Sequence, residues 1–554
     1  MAVTKKDEGN KPSIIRPLGN VECYEFHMLE LRFLGGTIVN GRYTVPESLA
    51  APGLHARVVA QVEDALARAV LEHAALRLDV VDADTRRPAW VAVDEVDFAH
   101  HVQWEDVNEA DTGSAADYGV MLRERIEKLL DEPLARIAGR PQWRVLVLFK
   151  KDERPFLDIV FVYSHALGDG TSGKIFHQTL LRLLNASAFL SASTPTPASA
   201  PTSMAQPEKE AETEPSASAL ANRVLRIPST ARPLPPPIEK TSRFPLSAKF
   251  AISTAWRELR PKGLAPLRPS HAHWAPIRPT PFRTRLRVFD VEPAVLGGIL
   301  AASRAHRTTV TGLLHALLLV SMASHVPLAD AAAFVGSTAL DLRRHVDAPC
   351  PGLDPKRTMA NYVSQMMHEF DADLVREVRE AMSSGGEQHE AVGGGDGDGA
   401  LSPALVSLIW QCAARVRREI EKRLDQGLKD DLVGLMKLVP DWRAQFRTEA
   451  SKARPYSFVV TNLGVLDGAE TKPDEEMEGN SGGDSPVAEY WTAEHSMFAI
   501  STEVCGAAFQ VSPISVRDGA LCVSCSWQDC VVDVKLGEAI VADLEAWLRF
   551  LGRS

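Results

Sequence analysis

One stretch of the chain gathers residues able to do chemistry: Phe161-Val162-Tyr163-Ser164-His165-Ala166-Leu167-Gly168-Asp169-Gly170-Thr171-Ser172-Gly173-Lys174-Ile175-Phe176-His177. An unperturbed imidazole, with a pKa of about 6.5, is largely neutral at pH 7 and can accept a proton. A hydroxyl cannot ionise by itself near neutrality. It needs a base within roughly 3 Å as it attacks, which typically contributes about 10²–10⁴-fold in rate. The same ring can return the proton to a leaving thiolate, so no covalent intermediate on the protein is required. His165 is thus the candidate general base. Asp169 has two readings: it orients the imidazole, as the third group of a triad does, or it pairs with a buried arginine and shapes the loop. Four residues around a glycine turn do not decide which way the carboxylate faces.

The elements around this loop follow from periodicity. Trp143 to Phe149 and Phe156 to Tyr163 are rich in β-branched and aromatic residues and read as strands. The second is apolar at nearly every position, which suits a central strand buried on both faces. A helix is expected to start near Thr171 or Ser172, both good N-caps, with Ile175, Phe176, Leu180, Leu183 and Leu184 on its apolar face. Upstream, Val58, Val62, Leu66 and Val70 mark an amphipathic helix within 54–78.

The first block, residues 1–186, therefore carries the histidine motif. Residues 187–245 are rich in Pro, Ser, Ala and charge and read as a disordered linker that cannot bury enough apolar surface to offset its ordering entropy. The second block, 246–554, holds a strand near Thr284, helices near Pro293–Arg304 and Val310–Ala323, and strands within 498–504, 507–516 and 520–527 before a last helix. Segments 383–400 and 470–489, glycine-rich and acidic, read as disordered insertions. Two α/β blocks suggest an α/β (α+β) protein of two lobes, each a mixed sheet flanked by helices, with its site between them.

Composition narrows the partners. A formal charge of −11 argues against general nucleic-acid binding, which needs a basic surface. The N-terminal residues lack the apolar core of a secretory signal. Val310 to Ala323 is interrupted by His315 and falls short of the roughly 20 residues of a membrane span, so it reads as a buried core helix. Seven scattered cysteines suit a reducing compartment. A cytoplasmic monomer is expected, with peripheral attachment to endoplasmic reticulum or lipid droplets left open.

Rival motifs are weaker. Gly168 to Lys174 fits the G-x-x-x-x-G-K of a phosphate loop, but Ile175 stands where a Mg²⁺-holding Ser or Thr belongs. Cys522-Val-Ser-Cys525 has C-x-x-C form, yet residues three apart on a strand face opposite sides, so buried thiols rather than a zinc site are expected and no metal is assigned. His177 and His315 read as packed residues. The glycines of 393–399 have no strand–helix context, and Asp474 to Glu478 reads as a solvated loop.

His165-Ala-Leu-Gly-Asp169-Gly170 resembles the signature of the coenzyme A-dependent acyltransferases related to peptide-synthetase condensation domains and plant BAHD enzymes. More narrowly, the chain resembles the fungal alcohol O-acetyltransferase family. Arg16-Pro-Leu-Gly-Asn-Val-Glu22 is similar to that family's opening, Ala339-Leu-Asp341-Leu-Arg343-Arg344 to its second-lobe segment, Met359-Ala-Asn361-Tyr362-Val363 to the segment after it, and Val460-Thr461-Asn462-Leu463-Gly464 to a strand crossing between lobes, within 455–468. The resemblance implies His165 in a tunnel open at both ends, Asp169 and Gly170 shaping its loop, Arg343 as the partner of Asp169, and Asn462 near the tunnel. It also implies acyl-CoA as co-substrate with no permanently bound cofactor, and a hydroxylated small molecule as acceptor. Ser164 precedes His165 where condensation domains often carry a second histidine, which favours CoA as donor. The plant D-F-G-W-G motif is absent. The expected activity is acetyl transfer from acetyl-CoA to an alcohol, sterol or secondary metabolite. The alternatives are a carrier-protein-dependent condensation enzyme and an inactive binding protein of the same fold.

Overall fold

A computed structural model describes residues 13–51, 53–107, 114–151, 154–192, 220–259, 272–346, 353–389, 401–468 and 490–553. Two sheets organise it. The first runs, in spatial order, Thr492–Ile500, Thr37–Thr44, Phe156–Tyr163, Trp143–Lys150 and Val102–Val107. Its central member is the expected histidine strand, and its side chains divide as strand alternation dictates. Leu157, Ile159, Phe161 and Tyr163 join one buried cluster, with the helices His55–Glu72 and Gly170–Ala192. Val160 and Val162 join another, with helix Ala115–Asp131. Asp158, buried on that second face, is held by Asn40, Arg42 and Tyr118.

The second sheet runs Thr284–Val291, Leu521–Gln528, Phe509–Val516, Phe458–Val460, Phe334–Asp341 and Val363–Phe370, with Val465–Leu466 added beside Phe509–Val516. Helices Val310–His325, Pro403–Asp425 and Val534–Arg553 cover it. Helix Val310–His325 is capped by the Thr309 hydroxyl and is buried from Gly312 to Ala323, so its apolar sequence serves the core. Among the described residues no single helix is long and apolar enough to cross a membrane. The pair Pro293–Ala305 and Val310–His325 would reach the length only together, across a 93° bend.

Three expectations need correction. The strand that enters the other lobe's sheet is Thr492–Ile500, paired antiparallel with Thr37–Thr44, and not a segment of 455–468. Phe458–Val460 instead lies parallel between two strands of its own sheet. The crossing strand carries Met497, Phe498, Ala499 and Ile500 into the core between the sheets, and Ser526 Oγ donates to the Ile500 carbonyl at 2.8 Å.

Second, the linker 187–245 is not unstructured throughout. The helix after the motif continues to Ala192, and Val224–Arg226 pairs with Glu95–Asp97. Residues 234–242 then form a strap, with Ile238 fully buried. Prolines leave carbonyls free to accept: Pro235 O takes a hydrogen bond from Arg16 Nη2 at 3.1 Å and Pro236 O one from Tyr362 Oη at 2.6 Å. Local composition missed this because the partners come from both lobes. The stretch 193–219, the insertion at 390–400 and all of 470–489 lie outside the described residues, as do Gly393 to Gly399 and Asp474 to Glu478; helix Ala372–His389 covers the start of the first insertion.

Third, the helix after the motif begins at Gly170, one or two residues before the expected start. Asp169 itself is the N-cap: its Oδ1 accepts from the Ser172 N–H at 2.9 Å and from Ser172 Oγ at 3.0 Å.

Candidate active site

The loop 164–169 leaves the end of the histidine strand and turns directly into the helix Gly170–Ala192. Tyr163 Oη closes the turn from inside, donating to the Asp169 carbonyl at 2.8 Å. The Asp169 carboxylate is bonded to groups other than the imidazole. Arg343, at the end of strand Phe334–Asp341, grips it with two bonds, Nη1 to Oδ2 at 2.7 Å and Nη2 to Oδ1 at 3.0 Å. The Tyr362 N–H adds a third donor at 2.9 Å. Burial alone would push the Asp169 carboxyl up, but Arg343 and these hydrogen bonds outweigh it and hold it below the usual carboxylate range. Arg343 shifts upward for the same reason: burial disfavours its charge, and Asp169 with Asp341 more than compensates. The remaining side-chain bonds of Arg343 go to Asp341 Oδ1, Ser172 Oγ and the carbonyls of Thr358 and Ala360. Of the two readings of Asp169, this geometry is the loop-shaping one.

Gly170 is required by crowding. A Cβ there would lie 2.7 Å from Leu463 Cδ2 and 2.9 Å from Phe498 Cζ. Both come from the second half of the chain and press on the first turn of the helix. Lys174 Nζ donates to the Leu463 carbonyl at 2.8 Å. This weighs against the phosphate-loop alternative, because the Lys174 ammonium and the Ser172 N–H are both engaged within the protein. Asn462 stands exposed, with its amide engaged by Thr311 Oγ1 at 3.1 Å and the Gly464 N–H at 2.8 Å. It holds the turn at Gly464, whose φ is +69°, and these contacts do not reach His165.

His165 has 12% of its side chain exposed. The Asn361 amide donates to its backbone carbonyl at 2.7 Å, and the same Nδ2 is 3.5 Å from the ring Nδ1. On the Nδ1 side lies Glu25 Oε1 at 3.7 Å, carried by helix Asn20–Glu30. Near both is Glu503, just after the crossing strand. Its carboxyl is pushed up to about 7 by burial and by Glu25, against the opposing pull of His165 and Arg454. Burial also raises Glu25, while His165 counters. Arg454 cannot neutralise the pair closely, because its guanidinium is bonded to the carbonyls of Ala275, Glu503 and Gly506. Sequence reasoning named neither glutamate. Each sits far along the chain from the motif, in no recognisable spacing with it.

The other candidates are packed. His177 lies between the Tyr43 hydroxyl at 2.8 Å and the Val39 carbonyl at 2.9 Å, and burial lowers its pKa to about 4. His315 is fully buried and joined through Thr338 to His368. Cys522 and Cys525 do point to opposite faces of their strand, into different clusters. Among the described residues one mixed donor group could hold a metal, Asp290, His495 and Cys522. His495 Nε2 lies 2.9 Å from Asp290 Oδ1, and the Arg42 guanidinium acts on both Asp290 and Cys522, so a cation already shares that space.

Residues 116–343 match the sequence model of the alcohol acetyltransferase family. A probable alcohol acetyltransferase of Fusarium pseudograminearum is 25% identical over 561 residues, covering 99% of this chain and 98% of that protein. One of Aspergillus fumigatus is 24% identical over 397 residues, 71% of this chain and 69% of that protein. Among solved structures, a trichothecene 15-O-acetyltransferase of Fusarium sporotrichioides superposes with a TM-score of 0.60 at 13% identity, over 97% of this chain and 95% of that one. The condensation domain of a monacolin K polyketide synthase gives 0.52 at 11% identity, over 98% and 99%. The likeness carried by the motifs therefore holds. The chain is an acyltransferase related to fungal alcohol acetyltransferases, on the two-lobed fold shared with condensation domains. The family match spans both His165 and Arg343 and stops short of Asn361, Asn462 and Glu503.

Proposed function

We propose that this acyltransferase moves an acetyl group from acetyl-CoA to the hydroxyl of an alcohol, sterol or secondary metabolite, with Nε2 of His165 as general base. The observation that carries the reading is the placement of His165. It lies where the two lobes meet and stays partly exposed, with Nδ1 turned toward Glu25 and Asn361, whereas His177 and His315 are closed into the core. The acceptor oxygen attacks the thioester carbonyl as its proton passes to Nε2. The tetrahedral adduct then collapses, the C–S bond breaks, and the proton returns to the coenzyme A sulfur. Asp169, Gly170 and Arg343 hold the loop that presents the ring. Acyl-CoA and acceptor are diffusible substrates of a monomer. The fold likeness to a condensation domain supports a second reading, in which a carrier protein delivers the acyl group.

The test is coenzyme A release from acetyl-CoA by the purified protein with a panel of alcohols, sterols and amines, with His165→Ala alongside. Release that needs an added alcohol and falls by about 10²-fold or more in the variant is expected. Equal activity in both proteins removes the role given to His165. Turnover with an acyl carrier protein and none with acetyl-CoA selects the condensation reading. Silence with both donors leaves the inactive binding protein.

A further inference from the structure

A general base of this kind needs a defined tautomer. Nε2 can take a proton only if the ring hydrogen sits on Nδ1, and Nδ1–H persists when something accepts from it. Asp169, the carboxylate nearest in sequence, cannot serve, being held by Arg343, Ser172 and Tyr362. Nor can the Asn361 amide: its Nδ2 only donates, binds the His165 carbonyl at 2.7 Å, and at the longer 3.5 Å from Nδ1 competes with Glu25 by favouring the opposite tautomer. The acceptor that remains on this side is Glu25, 3.7 Å from Nδ1 and as sheltered as the ring, each side chain 12% exposed.

We propose that Glu25 is the positioning residue of His165: its carboxylate accepts from Nδ1–H, leaves Nε2 as the base, and stabilises the imidazolium that forms when the hydroxyl proton is taken. The inference rests on the reading of His165 as base. The proton taken from the hydroxyl stays on the ring, and none is passed on to Glu25. The distance of 3.7 Å is an ion-pair separation that shortens to a hydrogen bond once the ring is charged, as catalytic contacts commonly tighten in the reacting complex.

The surroundings favour this division of labour. Glu503 is the titratable neighbour of both groups, and two carboxyls sharing an enclosed space do not both ionise readily. Burial raises both carboxyls and the imidazole counters it in both, but Glu503 bears in addition the repulsion of Glu25 and keeps its proton up to about 7. Tyr24, Tyr456 and Cys505 crowd the same side, and burial holds the Tyr24 hydroxyl and the Cys505 thiol neutral. Arg454 stands beyond Glu503, engaged by carbonyls.

The experiment compares wild type, Glu25→Gln, Glu25→Asp and Glu503→Gln, with His165→Ala as reference. kcat/KM for alcohol-dependent release is followed from pH 5 to 9, and the ¹⁵N shifts of histidine rings are recorded in labelled protein, His165→Ala identifying the resonance. Glu25→Gln is expected to lower the limiting kcat/KM by about 10–10²-fold. It should also move the rising limb of the pH profile to lower pH and weaken the Nδ1–H form. Glu25→Asp should recover part of each, and Glu503→Gln should leave the tautomer unchanged. A Glu25→Gln protein that keeps the wild-type tautomer and pH profile overturns the proposal, whatever its rate. If His165→Ala proves as active as wild type, the base reading fails instead. The ring spectrum then still reports whether Glu25 holds Nδ1–H.

Discussion

Asp169 and Arg343 meet across 174 residues of chain, with Nη1 of the arginine 2.7 Å from one carboxylate oxygen and Nη2 3.0 Å from the other. The pair is buried, and it ties the histidine loop of one lobe to the strand end of the other. Removing one partner leaves a charge without compensation, which typically costs about 3–5 kcal/mol. Arg343→Ala is therefore expected to lose about that much in chemical denaturation. Arg343→Lys should recover only part, since a lysine lacks the planar fork that engages both oxygens. Combining Arg343→Ala with Asp169→Asn should cost less than the sum of the two. Additive losses would contradict the pairing as the source of stability.

Gly170 has its own signature. Its Cβ would sit 2.7 Å from Leu463 and 2.9 Å from Phe498, so Gly170→Ala forces two packed side chains apart. Overpacking of this sort costs about 1–3 kcal/mol. The loss should appear as a lower Tm together with reduced coenzyme A release, because the clash sits on the loop that presents His165. Leu463→Ala added to Gly170→Ala opens the space and should restore part of both. If the second change rescues nothing, the requirement for glycine lies elsewhere.

The dependence of stability on pH should carry two opposed contributions. Glu503 is raised from 4.5 to about 7, so between those values the folded protein binds a proton that the unfolded chain has released. Its contribution falls as pH rises through that window, by roughly 3 kcal/mol at most. Buried His73, His101 and His177 are lowered from 6.5 to about 4, and the unfolded chain binds protons there that the folded one refuses. Their contribution is complete above 6.5 and is lost as pH falls toward 4. Urea midpoints measured from pH 4.5 to 8 should show Glu503→Gln gaining on wild type steadily toward neutrality. A constant offset between the two would mean that Glu503 is an ordinary carboxylate.

Burial also sets thiol chemistry. Cys412 is pushed up to about 12 by desolvation, and Cys522 and Cys525 shift upward for the same reason. A thiol-selective reagent at pH 8, read by peptide mass spectrometry, should modify these three only after denaturation. Rapid modification of Cys525 in the native protein would place its strand at the surface.

The parts legible in the sequence are those with a local physical signal. Phe156 to Tyr163 announces itself because a strand covered on both faces must be apolar throughout, and its observed limits are the expected ones. Val58, Val62, Leu66 and Val70 repeat at helical spacing because one stripe of their helix is buried, and all four are. The N-cap is ambiguous in the sequence since three of four consecutive residues, Asp169, Thr171 and Ser172, could each serve, and the choice falls to tertiary partners. Glu25 and Glu503 left no local trace. One rides a helix whose neighbours Tyr24 and Phe26 look like ordinary packing, and the other follows a strand read as beginning at Phe498 rather than Thr492. What makes them a pair is the path of that strand into the other lobe.

That path also sets an order in time. Strand Thr37–Thr44 borders Phe156–Tyr163 on one side and Thr492–Ile500 on the other. While the chain is being synthesised, at roughly 5–20 residues per second, the first sheet has an uncovered edge until the crossing strand arrives. Some 340 residues separate its arrival from the histidine strand, a wait of roughly 17–70 seconds. Phe498, which leans on Gly170, and Glu503 come with that late segment. The nascent first lobe thus keeps an open strand edge until then, and the site beside His165 is assembled only once the crossing strand is in place.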